Sequence, residues 1–423
     1  MMENMNIDEI KKVVFVGAGT MGSFNSLVAA VAGFPVTVYD SSPEALAALS
    51  DRQKAWGEIL IERWPMPREK IEHGLKRIRV TKDPAEAAED ADLLCESVFE
   101  RLELKRQVHG LFDELCPPKT IMTTNTSTLL LSDIESAVRR GDRFAAMHFH
   151  QPGILADLVA GPRTSPQTMG LLKLYLTRIG MTYVVLKKER AGYLHNAMFV
   201  AYLATGLMLK ILGGMEIEEI DRSWMISQKA EGGPFGALDH VGFNVIVDAF
   251  EGMQDPEDPA AVYREAAMNF FHPYLERGEM GSKTGKGFYT YPEPAFQKPE
   301  FLKGREENPL ATKALTNSIM AAALNLLVEG VGDMRDIDRS WMIPHRSEIG
   351  PFGMIDAKGL DVFLQELEER AALDPVFART FPLLAEYLKG YIARGELGVK
   401  TGKGFYTYPD PAYKKVDFLF ERQ

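Results

Sequence analysis

The segment Lys12-Val13-Val14-Phe15-Val16-Gly17-Ala18-Gly19-Thr20-Met21-Gly22 is compatible with few folds. Val13–Val16 is a short apolar run of the kind buried on both faces of a parallel sheet. The glycines after it are spaced to turn the chain at Gly17, let backbone approach a ligand at Gly19, and seat a helix against the strand at Gly22. A helix opening there, with Thr20 and Met21 in its first turn, offers N–H groups and a positive dipole end to phosphates. A helix length later, Val36-Thr37-Val38-Tyr39 ends in Asp40, whose carboxylate would accept hydrogen bonds from a ribose 2′-hydroxyl and repel a 2′-phosphate. Strand, glycines, helix and acidic strand end together predict a dinucleotide site that favours NAD over NADP.

The alternation continues to about residue 186. Further strands are expected at Leu93–Cys95, Thr120–Thr123, Phe144–Phe149 and Thr182–Val185, with helices between them, which reads as a parallel, doubly wound sheet. The second half carries a repeat. Ile220-Asp221-Arg222-Ser223-Trp224-Met225-Ile226 recurs from Ile337, Gly233-Pro234-Phe235-Gly236 recurs from Gly350, and the ten residues from Lys283 to Pro292 recur identically from Lys400, all at one offset of 117 residues. This is a tandem duplication of one helical domain. The expected organisation is a nucleotide domain over 1–188 and helical copies over 189–300 and 301–423, with Pro292–Pro309 as linker. Two such copies can pack about a pseudo-two-fold axis, giving a monomer with an internal pseudo-dimer, or the chain forms a homodimer.

Net charge of −11 argues against nucleic acid as a partner. Cys95 and Cys116 form neither a disulfide framework nor a metal-ligand cluster, and the polar start Met1–Lys12 lacks a signal-peptide core. No apolar run reads as a membrane span, so a cytoplasmic protein with no membrane partner and no metal is expected.

Three places carry candidate chemistry. Thr123-Thr124-Asn125-Thr126-Ser127-Thr128 ends an apolar strand, where α/β sheets bind ligands, although a helix N-cap cluster is the simpler reading of those residues alone. His148-Phe149-His150-Gln151-Pro152 ends another strand; a histidine beside a nicotinamide can take a hydroxyl proton while hydride leaves the same carbon. In Gly192-Tyr193-Leu194-His195-Asn196 a helix begins, and an amide at Asn196 would need a partner such as a substrate carbonyl. Residues 51–82 hold nine Lys/Arg against five Asp/Glu, a local excess suited to coenzyme A phosphates or simply to a solvated helix pair.

Taken together, GAGTMG, CESVFERLELK, TNTST, HFHQP, the HNA helix start, GPFG and KTGKGFY resemble the L-3-hydroxyacyl-CoA dehydrogenase family over nearly the whole chain. The resemblance implies a Rossmann-type nucleotide domain followed by two all-α domains, and NAD-linked interconversion of an L-3-hydroxyacyl-CoA and its 3-oxo form, as in fatty-acid β-oxidation. It implies His148 as the catalytic histidine, with Ser127 and Asn196 beside the substrate. It places Gly17, Gly19, Thr20, Met21, Gly22, Asp40, Glu100, Lys105, Ser127, Gln151 and Lys283 around the cofactor, with Lys400 as the repeat of Lys283. The chain departs from the family pattern at three points. Ala160 stands where the pattern has the histidine's glutamate partner, Gln151 where it has asparagine, and Trp56 where it has a CoA-contacting serine, while Arg63 keeps a basic charge. Asp157, three residues before Ala160, is expected on the opposite face of its strand. Trp56 and Ala160 leave room for a β-hydroxy acid substrate without CoA, or for a weakly catalytic NAD(H)-binding protein.

Overall fold

A computed structural model describes residues 6–64, 66–150, 153–252, 260–415 and 417–420. It divides into two compact units: Met1–Leu194 with Gly330–Arg346 and Lys415–Gln423, and His195–Glu329 with Ser347–Lys414.

The first unit is built on one eight-stranded sheet in the order β3-β2-β1-β4-β5-β6-β7-β8. The strands are β1 (Val13–Val16), β2 (Val36–Tyr39), β3 (Ile78–Thr81), β4 (Leu93–Glu96), β5 (Ile121–Thr124), β6 (Phe144–His150), β7 (Leu155–Ala160) and β8 (Thr182–Leu186). Strands β3 to β6 run parallel. β7 then turns back antiparallel to β6, and β8 lies parallel to β7. Two strands escape the apolar-run criterion for visible reasons. β3 is an edge strand with Arg79 and Val80 exposed, and β7 is interrupted in its apolar pattern by Asp157. Helix α1 (Thr20–Val31) packs beside β1 and β2, α2 (Leu49–Arg63) packs on α1, and α3 (Leu102–Leu115) follows β4. Trp56 of α2 is used for packing: its ring meets Phe24 edge-on at 5.2 Å and its Nε1–H donates to Ser23 Oγ at 3.2 Å.

The second unit contains α4 (His195–Ile211), α5 (Ile217–Gln228) and α6 (Pro309–Val328). The expectation of no membrane-length apolar run needs correction. Among the described residues, α6 has 20 residues with an 18-residue stretch of mean hydropathy 1.2, long and apolar enough by composition, but 56% of that stretch is buried, as suits a core helix. The expected linker is also ordered: Phe296 packs on Tyr289 at 5.0 Å, and Arg222 lies over Phe301 at 4.9 Å.

The repeated KTGKGFYTYP loop is clamped by one aspartate in each copy. Asp239 accepts the N–H groups of Phe288 and Tyr289 at 2.8 and 2.9 Å and the Tyr291 hydroxyl at 3.0 Å. Asp356 does the same for Phe405, Tyr406 and Tyr408 at 2.8, 2.8 and 3.0 Å. A side chain at Gly287 or Gly404 would come within 2.1 or 2.0 Å of the aspartate oxygen, so the motif's second glycine is obligatory.

The repeats diverge in position. Helix α7 (Met334–His345), the counterpart of α5, belongs to the first unit. There Val185 N–H donates to Asp336 at 3.2 Å and Lys187 N–H to the Val331 carbonyl at 2.8 Å. The second copy thereby covers the open edge of β8.

Candidate active site

The glycine turn has the form its sequence requires. Gly17 sits at φ +107°, and a Cβ there would meet the Ser97 carbonyl oxygen at 2.6 Å; one at Gly22 would lie 1.8 Å from the Gly17 carbonyl oxygen. At Gly19 nothing lies within 4 Å, so the backbone there faces open space at the N-terminus of α1. Asp40 closes the turn from β2, accepting Ala18 N–H at 2.7 Å and Ser42 N–H at 2.9 Å. A cradle that side chains would fill, ending in a helix N-terminus beside a carboxylate, fits a dinucleotide pyrophosphate and ribose.

Beyond β5, the Thr126–Leu129 loop is not a helix N-cap cluster, because the next helix, Leu131–Glu135, starts with no side-chain cap. Glu100 organises it instead. Its Oε1 accepts the Thr126 hydroxyl at 2.6 Å and the N–H groups of Ser127 and Thr128 at 2.8 Å each. Lys105, 1% exposed, lies behind the loop with Nζ 2.8 Å from Glu96 and 3.3 Å from Glu100. Burial opposes ionisation of Glu96, but the hydrogen bond from His109 and the Lys105 charge outweigh it and bring Glu96 down to about 2. This buried charge array holds Ser127 at the end of β5.

Ser127 Oγ is 3.1 Å from His148 Nε2, and His148 Nδ1 is 3.0 Å from Asp157 Oδ2. Asp157 does face away from Ala160, as alternation requires, but its face and not that of Ala160 carries His148, and the reason is the hairpin. β6 and β7 are antiparallel with His148 directly opposite Asp157, and residues opposite one another project from the same face. Ala160 is exposed at the far end of β7, opposite Ala145. His150, two residues along β6, also reaches Asp157 Oδ2, with Nε2 at 2.7 Å. Burial disfavours charge on Asp157, but the adjacent imidazoles more than offset it and hold the carboxyl well below the usual range. Burial lowers the pKa of His148, and the hydrogen bond to Asp157 only partly counters this. The three donor groups lie within 4.8 Å of one another, but separations of 2.7 and 3.0 Å are those of N–H···O⁻ hydrogen bonds.

Tyr193 adds a feature invisible in sequence. It has φ +48°, unusual for an aromatic residue, and its ring lies 5.3 Å from that of His148. Its hydroxyl is buried with no hydrogen-bond partner among the described residues, as is Asp157 Oδ1. The left-handed turn follows Gly192, whose N–H donates to the Ser127 carbonyl at 3.1 Å.

In the second unit, Asn196 is the second residue of α4, with Oδ1 3.1 Å from His195 Nδ1. Lys283 is exposed and, with His240, Tyr291 and Gln297, lines a pocket of about 490 Å³. Its copy Lys400 is paired with Asp361 at 2.5 and 2.7 Å, whereas the residue corresponding to Asp361 is Asn244. Lys283 has no ion pair among the described residues, and Gln151 lies outside them. Asp157 was discoverable from its spacing only by allowing a tight antiparallel return after Pro152; His150 shares alternation with His148.

Comparison with known proteins agrees with this geometry. The family model described as 3-hydroxyacyl-CoA dehydrogenase, NAD binding domain, matches residues 12–190. The corresponding C-terminal domain model matches twice, at 192–291 and 311–408. The rat mitochondrial hydroxyacyl-coenzyme A dehydrogenase is 30% identical over 293 residues, 67% of this chain and 91% of its own length. A solved diketoreductase, acting on dicarbonyl compounds, is 33% identical with a TM-score of 0.60, covering 67% of this chain and 99% of its own. A 3-hydroxybutyryl-CoA dehydrogenase from Escherichia coli matches in fold over 90% of this chain and 99% of its own, with TM-score 0.73 and 21% identity.

Proposed function

The chain belongs to the 3-hydroxyacyl-CoA dehydrogenase family, and we propose that it oxidises an L-3-hydroxyacyl-CoA at C3, with His148 as the base. The Ser127–His148–Asp157 relay carries this reading. His148 Nε2 takes the proton of the C3 hydroxyl as the C–H bond breaks. Bound NAD supplies the acceptor for the hydride. Ser127 Oγ, 3.1 Å from Nε2, holds the substrate oxygen in line with the base. Asp157 accepts the Nδ1–H, fixes the tautomer, and stabilises the imidazolium that forms. Burial keeps His148 neutral and therefore ready to accept the proton. In the reverse direction the imidazolium returns the proton to the developing alkoxide. The turn at Gly17, Gly19 and Gly22, with Asp40, takes the pyrophosphate and ribose; Glu100 and Lys105 shape the loop beneath the nicotinamide end. Asn196 is assigned to the thioester carbonyl and Lys283 to a phosphate.

The test is oxidation of NADH by acetoacetyl-CoA, followed by nicotinamide absorbance. Turnover that falls about 10³-fold or more in His148→Gln, with NADH binding intact, is expected. Full turnover in that variant would remove His148 from the mechanism. A second reading, a free β-hydroxy acid as substrate, is favoured by Trp56, committed to packing on Phe24, and by Glu58, which pairs with Arg68 at 2.6 Å within the basic segment. Comparison of free acids with thioesters in the same assay separates the two.

A further inference from the structure

Both imidazoles on β6 bond to one oxygen of one carboxylate. An ionised carboxylate only accepts, so both rings donate to Asp157 Oδ2: His148 through Nδ1 at 3.0 Å and His150 through Nε2 at 2.7 Å. Asp157 is fully buried, and among the described residues its other oxygen has no partner. An aspartate's terminal torsion is soft, so a single bond from His148 leaves the carboxylate plane free to swing. A second, shorter bond from a ring two residues along the same strand removes that freedom. The two rings meet edge-on, with centroids 4.6 Å apart.

Helix α7 of the second repeat brings His345 within electrostatic reach of His150. His345, at the end of α7, stacks on Trp341 at 3.9 Å. Desolvation, and the charge His150 would carry nearby, hold His345 down to about 4, so at neutral pH it brings no cation to the site. The groups acting on His148 are thus Asp157 from β7, His150 on β6, and Glu100, with the Tyr193 ring 5.3 Å away, while His345 interacts with His150.

We propose that His150 is a positioning residue: its Nε2–H fixes the Asp157 carboxylate that orients His148. This rests on His148 being the base. Two variants of the full chain isolate the contact. Glutamine places an amide N–H near the position of Nε2, whereas asparagine is too short to reach Asp157. His150→Gln is expected to keep most of kcat. His150→Asn should lose about 10- to 100-fold in kcat, with KM and NADH affinity little changed. In His150→Asn the acid limb of the oxidation profile should also move up by about one pH unit, because Asp157 then serves His148 alone. A purely structural role would lower the melting temperature without moving that limb. Equal kcat and identical pH profiles in the two variants would overturn the proposal. If His148→Gln retains turnover, the reading beneath it has failed instead; if His148→Gln is dead and His150→Asn is normal, only the role of His150 falls.

Discussion

Asp157 stands directly opposite His148 across the β6–β7 ladder and accepts its Nδ1–H at 3.0 Å. The partner of the base is thus supplied by strand register, from a position nine residues after the histidine.

If that contact sets the tautomer of His148, Asp157→Asn should lower kcat by about 10²- to 10⁴-fold, as expected when the orienting member of a triad is neutralised. Ala160→Glu should not rescue it, because residue 160 is exposed at the strand end. Steady-state kinetics of the single and double variants decide this; recovery in the double variant would return the role to position 160.

The lowered pKa of His148 has a direction-dependent consequence. Oxidation needs the neutral ring, so its rate should hold below the ordinary histidine pKa of about 6.5 before falling. Reduction needs the protonated ring, so its rate should rise as pH drops through the same range. The same shift costs stability in acid: below about 6.5 the unfolded chain binds a proton that the folded site resists. Rate profiles measured in both directions should have mirror-image limbs, and parallel limbs would contradict the assignment.

Lys400 is neutralised by Asp361, while in the first repeat the residue corresponding to Asp361 is Asn244, and Lys283 has no ion pair among the described residues. Asn244→Asp should copy the second repeat's ion pair into the first. The expected result is a KM for cofactor or thioester raised about three- to tenfold. Asp361→Asn should leave kinetics unchanged. Identical KM values in wild type and Asn244→Asp would take Lys283 out of ligand binding.

Tyr193→Phe removes a buried hydroxyl that has no hydrogen-bond partner among the described residues. Without ligand, the variant should melt no lower than the parent, and up to about 1 kcal/mol of stability is gained. A raised KM for the acyl substrate would show that the ligand satisfies that hydroxyl, and a destabilised ligand-free protein would show that the protein already does.

The parts of the fold legible in sequence are those fixed by local sterics. Gly17, Gly19 and Gly22 read correctly because each answers one backbone demand. His148 and Ser127 were legible as neighbours because one lies near the end of β6 and the other just beyond β5, and the adjacent parallel strands bring them to 3.1 Å. The pairing of Asp157 with His148 was not legible, because which face of β7 meets His148 depends on where a hairpin returns, and alternation within one strand does not contain that. The Thr126–Leu129 loop read as a cap because its true acceptor, Glu100, lies 26 residues upstream of Thr126. The destination of α7 was hidden as well. Trp341 and its neighbours repeat Trp224 and its neighbours, yet α7 and α5 belong to different units.

The aspartate clamp also bears on how such a duplicated chain can change over generations. Asp239 and Asp356 shape their loops through backbone N–H groups, a tyrosine hydroxyl and an obligatory glycine, none of which involves Lys283 or Lys400. The lysine's charge can be exposed, quenched or replaced while the loop beneath keeps its form. Mutational drift at positions 244 and 361 is therefore uncoupled from foldability, and one copy can diverge without endangering the architecture both share.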